Sequence, residues 1–183
     1  MLLLVILTKI IFGGILGVLK ELEIKKVIIG EQGEVSEQYN EFCSIIKEKQ
    51  IPVAVVKQGD IINVETNLKI KVLFPSKDLI GNNILNNNSL VFKIEYKEFG
   101  MLFTGDIEQI AEEKILSEYK NTDVLQSTIL KVAHHGSKTS STENFINAVR
   151  PKIALIGVGG NNKFGHPNGE VLNRLTEKRN KNL

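Results

Sequence analysis

Leu130-Lys131-Val132-Ala133-His134-His135-Gly136-Ser137 is the stretch on which the fold of this chain turns. A short apolar run reads as a buried strand, and it ends on two imidazoles, a glycine and a hydroxyl, where strand ends carry chemistry. All three histidines of the chain lie between Val132 and Pro167. Neutral imidazole is the commonest metal-binding side chain, and zinc or manganese sites combine it with carboxylate oxygens. On extended backbone, adjacent side chains point in opposite directions. At most one of His134 and His135 is therefore expected to reach a metal while the other packs behind it, and periodicity does not say which. A lone histidine is more often a satisfied core or surface residue, but a pair followed by Gly-Ser at a strand end is a rarer pattern.

Upstream, Leu102-Phe103-Thr104-Gly105-Asp106 repeats the arrangement, with an apolar strand running into a glycine and then a carboxylate. Gly105 permits close backbone approach, and Asp106 either binds a cation at the sheet rim or caps the following helix, which would stabilise by about 1 kcal/mol. Downstream, Gly165-His166-Pro167 follows the strand expected over Ile153 to Gly157. It reads equally as a ligand-bearing loop or as a turn closed by Pro167 before a helix.

Around these motifs, strand and helix signals alternate as in an α/β protein. Lys26 to Ile29 and Val53 to Val56 read as strands flanking a helix over Ser36 to Lys49, with Ser36 as its N-cap. Ile61 to Val64, Leu68 to Phe74, Leu90 to Tyr96 and Met101 to Phe103 form an expected antiparallel meander. The five asparagines in Gly81 to Asn88 predict a loop, because Asn favours turns and left-handed backbone. Helices are expected at Ile107 to Tyr119, Glu143 to Val149 and Gly169 to Lys178, around strands Thr128 to Val132 and Ile153 to Gly157. Met1 to Leu19 is apolar enough to suggest a membrane span, but Lys9 near its centre would cost roughly 2.5–3.5 kcal/mol on insertion scales. A signal peptide would carry its charge before the apolar run and a small-residue cleavage site after it. The reading preferred here is a strand from Leu2 to Leu7 and, after a Gly13-Gly14 turn, an amphipathic helix through Glu21.

Composition bounds the rest. The 183 residues suit one domain spanning 1–183, with no linker or internal repeat, and 42% hydrophobic with 24% charged residues is an ordinary globular mixture. A net charge of +2, from 23 basic and 21 acidic residues, does not by itself argue for nucleic acid, and only Lys178, Arg179 and Lys181 cluster. The single Cys43 excludes an internal disulfide and a multi-cysteine zinc knuckle, and burial in a helix is its expected place.

The ordered set Asn87-Asn88-Ser89-Leu90, Leu102-Phe103-Thr104-Gly105-Asp106, Val132-Ala133-His134-His135-Gly136-Ser137, Asn161 and Gly165-His166-Pro167 resembles the C-terminal metallo-β-lactamase-like domain of ComEC-type DNA-internalisation competence proteins. Lys138-Thr139-Ser140-Ser141 and Arg150-Pro151 add to the likeness, which runs from about Gly13 to Leu175. The resemblance implies an α/β fold of αββα sandwich type with a divalent-metal site, zinc or manganese, at the tops of two sheets, and no other cofactor. It implies Asp106, His134 or His135, and His166 as metal ligands. Asp106 and His166 would also be catalytic, and Asn88, Ser89, Ser137 and Lys138 would support the ligands or contact substrate phosphate. It further implies single-stranded DNA as partner, a competence membrane channel if the chain is part of a longer protein, and a bacterial location. That location would be the outer face of the cytoplasmic membrane for the full protein, or the cytoplasm for a soluble fragment.

One departure stands out. The family's early Ser/Thr-His-x-Asp-x-Asp-His motif should precede Gly13-Gly14, where this chain has Ile6, Thr8, Ile10 and Ile11 instead. Three of these cannot bind a metal and Thr is a poor substitute for a carboxylate. The expectation is a metallo-β-lactamase fold lacking its first strands and first metal motif, an N-terminally truncated chain with weak metal binding and little hydrolysis of its own. The competing expectations are a non-catalytic binding module on the same fold, or an unstable remnant with exposed sheet edge.

Overall fold

The computed structural model describes residues 2–4, 9–31 and 37–180. Its first layer of strands is parallel. β1 (Leu2–Leu4), α1 (Lys9–Glu21), β2 (Val27–Gly30), α2 (Glu37–Glu48) and β3 (Val53–Val56) make a three-stranded sheet in the order β1-β2-β3. Val27 pairs with Leu2 on one side and Val53 on the other. All four residues of β2 are buried, as a central strand covered on both faces must be.

The second sheet has six strands in sequence order. β4 (Ile61–Glu65), β5 (Leu68–Phe74), β6 (Val91–Tyr96) and β7 (Phe99–Phe103) are antiparallel neighbours, with the one-turn helix α3 (Ile84–Asn87) between β5 and β6. α4 (Gln109–Glu118), β8 (Ile129–Lys131), α5 (Glu143–Val149), β9 (Ile153–Leu155) and α6 (Gly169–Asn180) follow, and β7, β8 and β9 run parallel. Parallel neighbours need a crossover, and α4 and α5 supply it.

Alternation of side chains along the strands builds the layers. Ile70, Val72 and Phe92 pack with Ile28, Val56 and Leu90 between the two sheets. On the outer face of the first sheet, Val27 and Ile29 meet Leu16, Leu19, Phe42 and Ile45 of α1 and α2. On the outer face of the second, Leu73, Val91, Leu102 and Leu130 meet Ala111, Ile115, Phe145, Val149 and Val171 of α4, α5 and α6. Each such side chain contributes about 1.5–3 kcal/mol of burial. The result is the expected αββα layering.

Three expectations change. Gly13-Gly14 is not a turn, since α1 begins at Lys9 and runs through both glycines. A helical glycine costs about 1 kcal/mol relative to alanine, which burial of Leu16 and Leu19 against β2 and α2 outweighs. The asparagine-rich segment is not wholly loop, because Asn83 adopts left-handed backbone and starts α3. Cys43 lies on α2 as expected but is exposed. The Ser36 cap, residues 5–7 of the first strand, and Ile6 and Thr8 lie outside the described residues, while Ile10 and Ile11 fall in α1. Among the described residues, no helix is long and apolar enough to cross a membrane.

Candidate metal centre

Two strand ends are tied together at the rim of the six-stranded sheet. Beyond β7, the Thr104 hydroxyl donates to the Lys131 carbonyl at 2.6 Å, and the His134 amide donates to the Gly105 carbonyl at 3.0 Å. Gly105, at φ 56°, makes the reversal that sets Asp106 beside the histidine pair. Ser89, fully buried, fixes that turn by accepting a hydrogen bond from the Asp106 amide at 3.1 Å. Asp106 does not cap α4: the cap position belongs to Glu108, whose side chain makes no capping bond.

His134 and His135 are not on extended chain. They lie in a 3₁₀ turn, Ala133–Gly136, with φ/ψ of 46/44° and 54/22°. Left-handed backbone at two consecutive non-glycine residues costs of order 1–3 kcal/mol each and persists only where surroundings enforce it. The expectation that one imidazole must turn away therefore loses its basis, and both rings reach carboxylates of the rim. His135 Nε2 is 3.6 Å from Asp106 Oδ1, and His134 Nδ1 is 3.6 Å from Glu108 Oε1. His135 Nδ1 lies 2.6 Å from the Gly157 carbonyl, which can only accept. The proton sits on Nδ1, and in the neutral ring the Nε2 lone pair faces the Asp106 carboxylate, an arrangement that a cation between them relieves.

His166 joins from the loop after β9. Asn162 braces that loop by donating to the His166 carbonyl at 2.7 Å and accepting from its amide at 3.0 Å. The His166 ring lies 5.8 Å from that of His134, edge to face, and stacks with Phe164 at 5.9 Å. Burial pushes the His166 imidazole below its ordinary value. The charges of His134 and His135 push the same way, and Asp106 opposes them. Among the described residues, His134 Nδ1 and His166 Nδ1 are buried nitrogens without a hydrogen-bond partner. Leaving such atoms unmet costs about 1–3 kcal/mol each.

Two functional candidates were not read from the sequence. Glu108 accepts from Thr139 Oγ1 at 3.1 Å and from Asn87 Nδ2 at 3.2 Å, and its amide donates to Asn87 Oδ1, so its carboxylate is aimed at His134. The fully buried Ile107 between Asp106 and Glu108 pins the pair, and an acid two residues after a rim acid was the available signal. Lys131 is largely buried and its ammonium donates to the Val132 carbonyl at 2.8 Å. Desolvation pulls its pKa down while Asp106 holds it up. Of the expected supporting residues, Ser137 bonds Thr139 at 3.0 Å and so reaches Glu108 indirectly. Asn88 is fully buried and braces Ile80 with two bonds of 2.9 Å. Lys138 is exposed, and its side chain has no hydrogen-bond or ion-pair partner among the described residues.

The donor set fits a divalent cation in kind, since imidazole nitrogens and carboxylates suit zinc or manganese. It falls short in convergence. Among the described residues, no group of three or more His, Cys, Asp or Glu side chains converges closely enough to hold a metal ion. The loops that carry these donors depend on Gly136, at φ 79°, where an added Cβ would sit 2.8 Å from Pro167 Cβ. Gly136→Ala is expected to lower stability by about 1–3 kcal/mol and to displace His166 from His134. Denaturant unfolding with the histidine ring signals checks this, and an unchanged spectrum with less than about 0.5 kcal/mol lost would refute it.

No family model matches the chain. It is 34% identical over 158 residues to ComE operon protein 3 of Bacillus subtilis, covering 86% of this chain and 20% of that protein. It is 42% identical over 94 residues to the uncharacterized protein YcaI of Escherichia coli, covering 51% of this chain and 12% of that protein. It is 37% identical over 90 residues to competence protein ComA of Neisseria gonorrhoeae, covering 49% of this chain and 13% of that protein. The chain thus spans a fifth or less of the relatives it matches. Among solved structures, a putative metal-dependent hydrolase from Parabacteroides distasonis aligns at 16% identity and a TM-score of 0.46, covering 84% of this chain and 74% of that one. With the motifs in order along the sequence and the αββα layers that carry them, the chain belongs to the ComEC-type metallo-β-lactamase-like domains.

Proposed function

We propose that this chain is a metal-dependent phosphodiesterase domain serving DNA uptake, and that by itself it binds metal weakly and hydrolyses little. The observation that carries the reading is the placement of Asp106, His134, His135 and His166 along one rim, where two imidazole nitrogens are buried and unmet among the described residues. A divalent cation held there would supply charge to polarise a phosphoryl oxygen and acidify water. Asp106 and the histidines would hold it, Glu108 would orient His134, and the neutral His166 could donate or take a proton at a leaving oxygen once its own nitrogen is satisfied. Weakness follows from spacing, since catalytic sites draw about three protein ligands plus water round one ion and the described donors of this rim do not close such a group. DNA as substrate, a competence channel as partner and the outer face of the bacterial cytoplasmic membrane as location are supported by the competence proteins that the chain resembles.

The same lack of convergence favours a second reading, a binding module that has kept the fold without the chemistry. One experiment separates them. The full chain is titrated with manganese or zinc and then incubated with labelled single-stranded and duplex DNA, beside Asp106→Ala. Weak metal binding lost in Asp106→Ala, with DNA turnover at most slightly above that variant, is expected. Absence of any metal binding would leave only the module, and rapid turnover abolished by Asp106→Ala would refute the weakness.

A further inference from the structure

At the end of the six-stranded sheet remote from the histidines lies a cavity of about 340 Å³, lined by Lys93, Glu95, Gly100, Thr128, Arg150 and Lys152 among others. It opens at the N-terminal ends of β7 to β9, since Phe99, Gly100, Thr128 and Lys152 stand at or just before the starts of those strands. From Gly100 to Gly105 along the chain is five residues, so at about 3.3 Å per residue the cavity lies roughly 17 Å from the metal rim. We infer that this cavity binds the phosphodiester backbone of a single-stranded nucleic acid.

The charge balance points to an anion. Four cations, Lys93, Lys97, Arg150 and Lys152, line it against two acids, Glu95 and Glu98. Glu95 is already claimed by Lys71 at 2.9 Å, Lys93 at 3.3 Å and Lys69 at 3.4 Å. Burial raises its pKa, but the hydrogen bonds and charges of Lys71 and Lys93 outweigh that and hold it ionised. Lys93 is itself buried and locked by a 3.2 Å bond to the Val124 carbonyl. Arg150 and Lys152 are exposed, and neither side chain has a hydrogen-bond or ion-pair partner among the described residues. They stand on opposite sides of Pro151, so their separation is stiffened.

The backbone of Arg150 adds a second observation. It ends α5 in left-handed conformation at φ 50°, a place where glycine or asparagine would be less strained. An arginine kept there, next to a proline, presents a planar donor fork that matches phosphate oxygens. The Arg150-Pro151 motif has no part in the metal rim, and this cavity gives it one. The choice of a polymer over a free anion rests on the phosphodiesterase reading above.

The test is made in EDTA, where no cleavage occurs, so a failure of hydrolysis and a failure of this site are distinguishable. Fluorescence anisotropy of a labelled single-stranded oligonucleotide is followed against salt for the full chain and for Arg150→Asn/Lys152→Gln, in which Asn tolerates the left-handed cap. Affinity is expected to fall about tenfold at low salt, and the salt slope to become shallower by about 1.4, at roughly 0.7 per phosphate contact. Lys25→Gln/Lys26→Gln, which removes the same charge from exposed positions before β2, is expected to change neither. Equal losses from both pairs, no binding by the unaltered chain, or inorganic phosphate displacing the oligonucleotide at equal phosphate concentration would overturn the proposal.

Discussion

Glu112→Ala is expected to remove about 3–5 kcal/mol of unfolding free energy, a large part of the stability of a domain this size. Glu112 sits on α4 with no solvent exposure, and its carboxylate accepts from the backbone amides of Ser141 and, at 2.8 Å, Thr142. Arg174 of α6 completes the cluster by donating to the carbonyls of Ser141 at 2.6 Å and Ser140 at 3.2 Å. Truncation would leave the Ser141 and Thr142 amides unmet and would loosen the segment that follows the histidine pair. Denaturant unfolding measures the loss, and a change under about 1 kcal/mol would contradict this account. Burial raises the Glu112 pKa against the pull of the Thr142 and Ser141 bonds and of Arg174. A carboxyl whose folded pKa lies above its unfolded one contributes fully below the ordinary carboxylate range and loses that contribution as pH rises through the folded value. Glu112→Gln should therefore flatten the stability profile across that window.

Glu108→Ala should weaken manganese or zinc binding by about 10- to 100-fold while leaving the melting temperature nearly unchanged. Its carboxylate lies 3.6 Å from the unmet His134 Nδ1, and Asn87 and Thr139 fix it there. Without it the left-handed turn holding His134 loses its electrostatic partner. Calorimetric titration of the metal measures the change, and an affinity within twofold of the unaltered chain would remove Glu108 from the site. Glu108→Gln keeps the Asn87 and Thr139 contacts in part, so it should fall between the two if charge and positioning both matter.

What the sequence made legible, and what it hid, follows from the range of the interactions. The strands Leu68–Phe74 and Val53–Val56 and the helix Glu143–Val149 are local signals, an apolar period with a capping Thr142 or a turn, and they fall where the pattern places them. The motifs at Asp106, His134 and His166 were visible because strand, glycine and ligand residue are contiguous. The direction of the two adjacent imidazoles was not, because the Gly105–His134 bond that holds the left-handed turn joins residues 29 positions apart. Glu108 and Glu112 look like ordinary polar residues at a helix start and on a helix face. Their roles are set by Asn87, Thr139, Ser141 and Thr142, which only the folded chain brings near.

The central claim, a cation site shared by Asp106 and all three histidines, is tested most directly by manganese-induced broadening of the histidine ring resonances. The chain has three histidines, so the ring spectrum reads the site without interference, and single His→Gln variants assign it. Substoichiometric manganese is expected to broaden the His134, His135 and His166 signals together, and Asp106→Asn is expected to abolish that effect. Broadening confined to one ring, or none at all with manganese in excess, would contradict the claim.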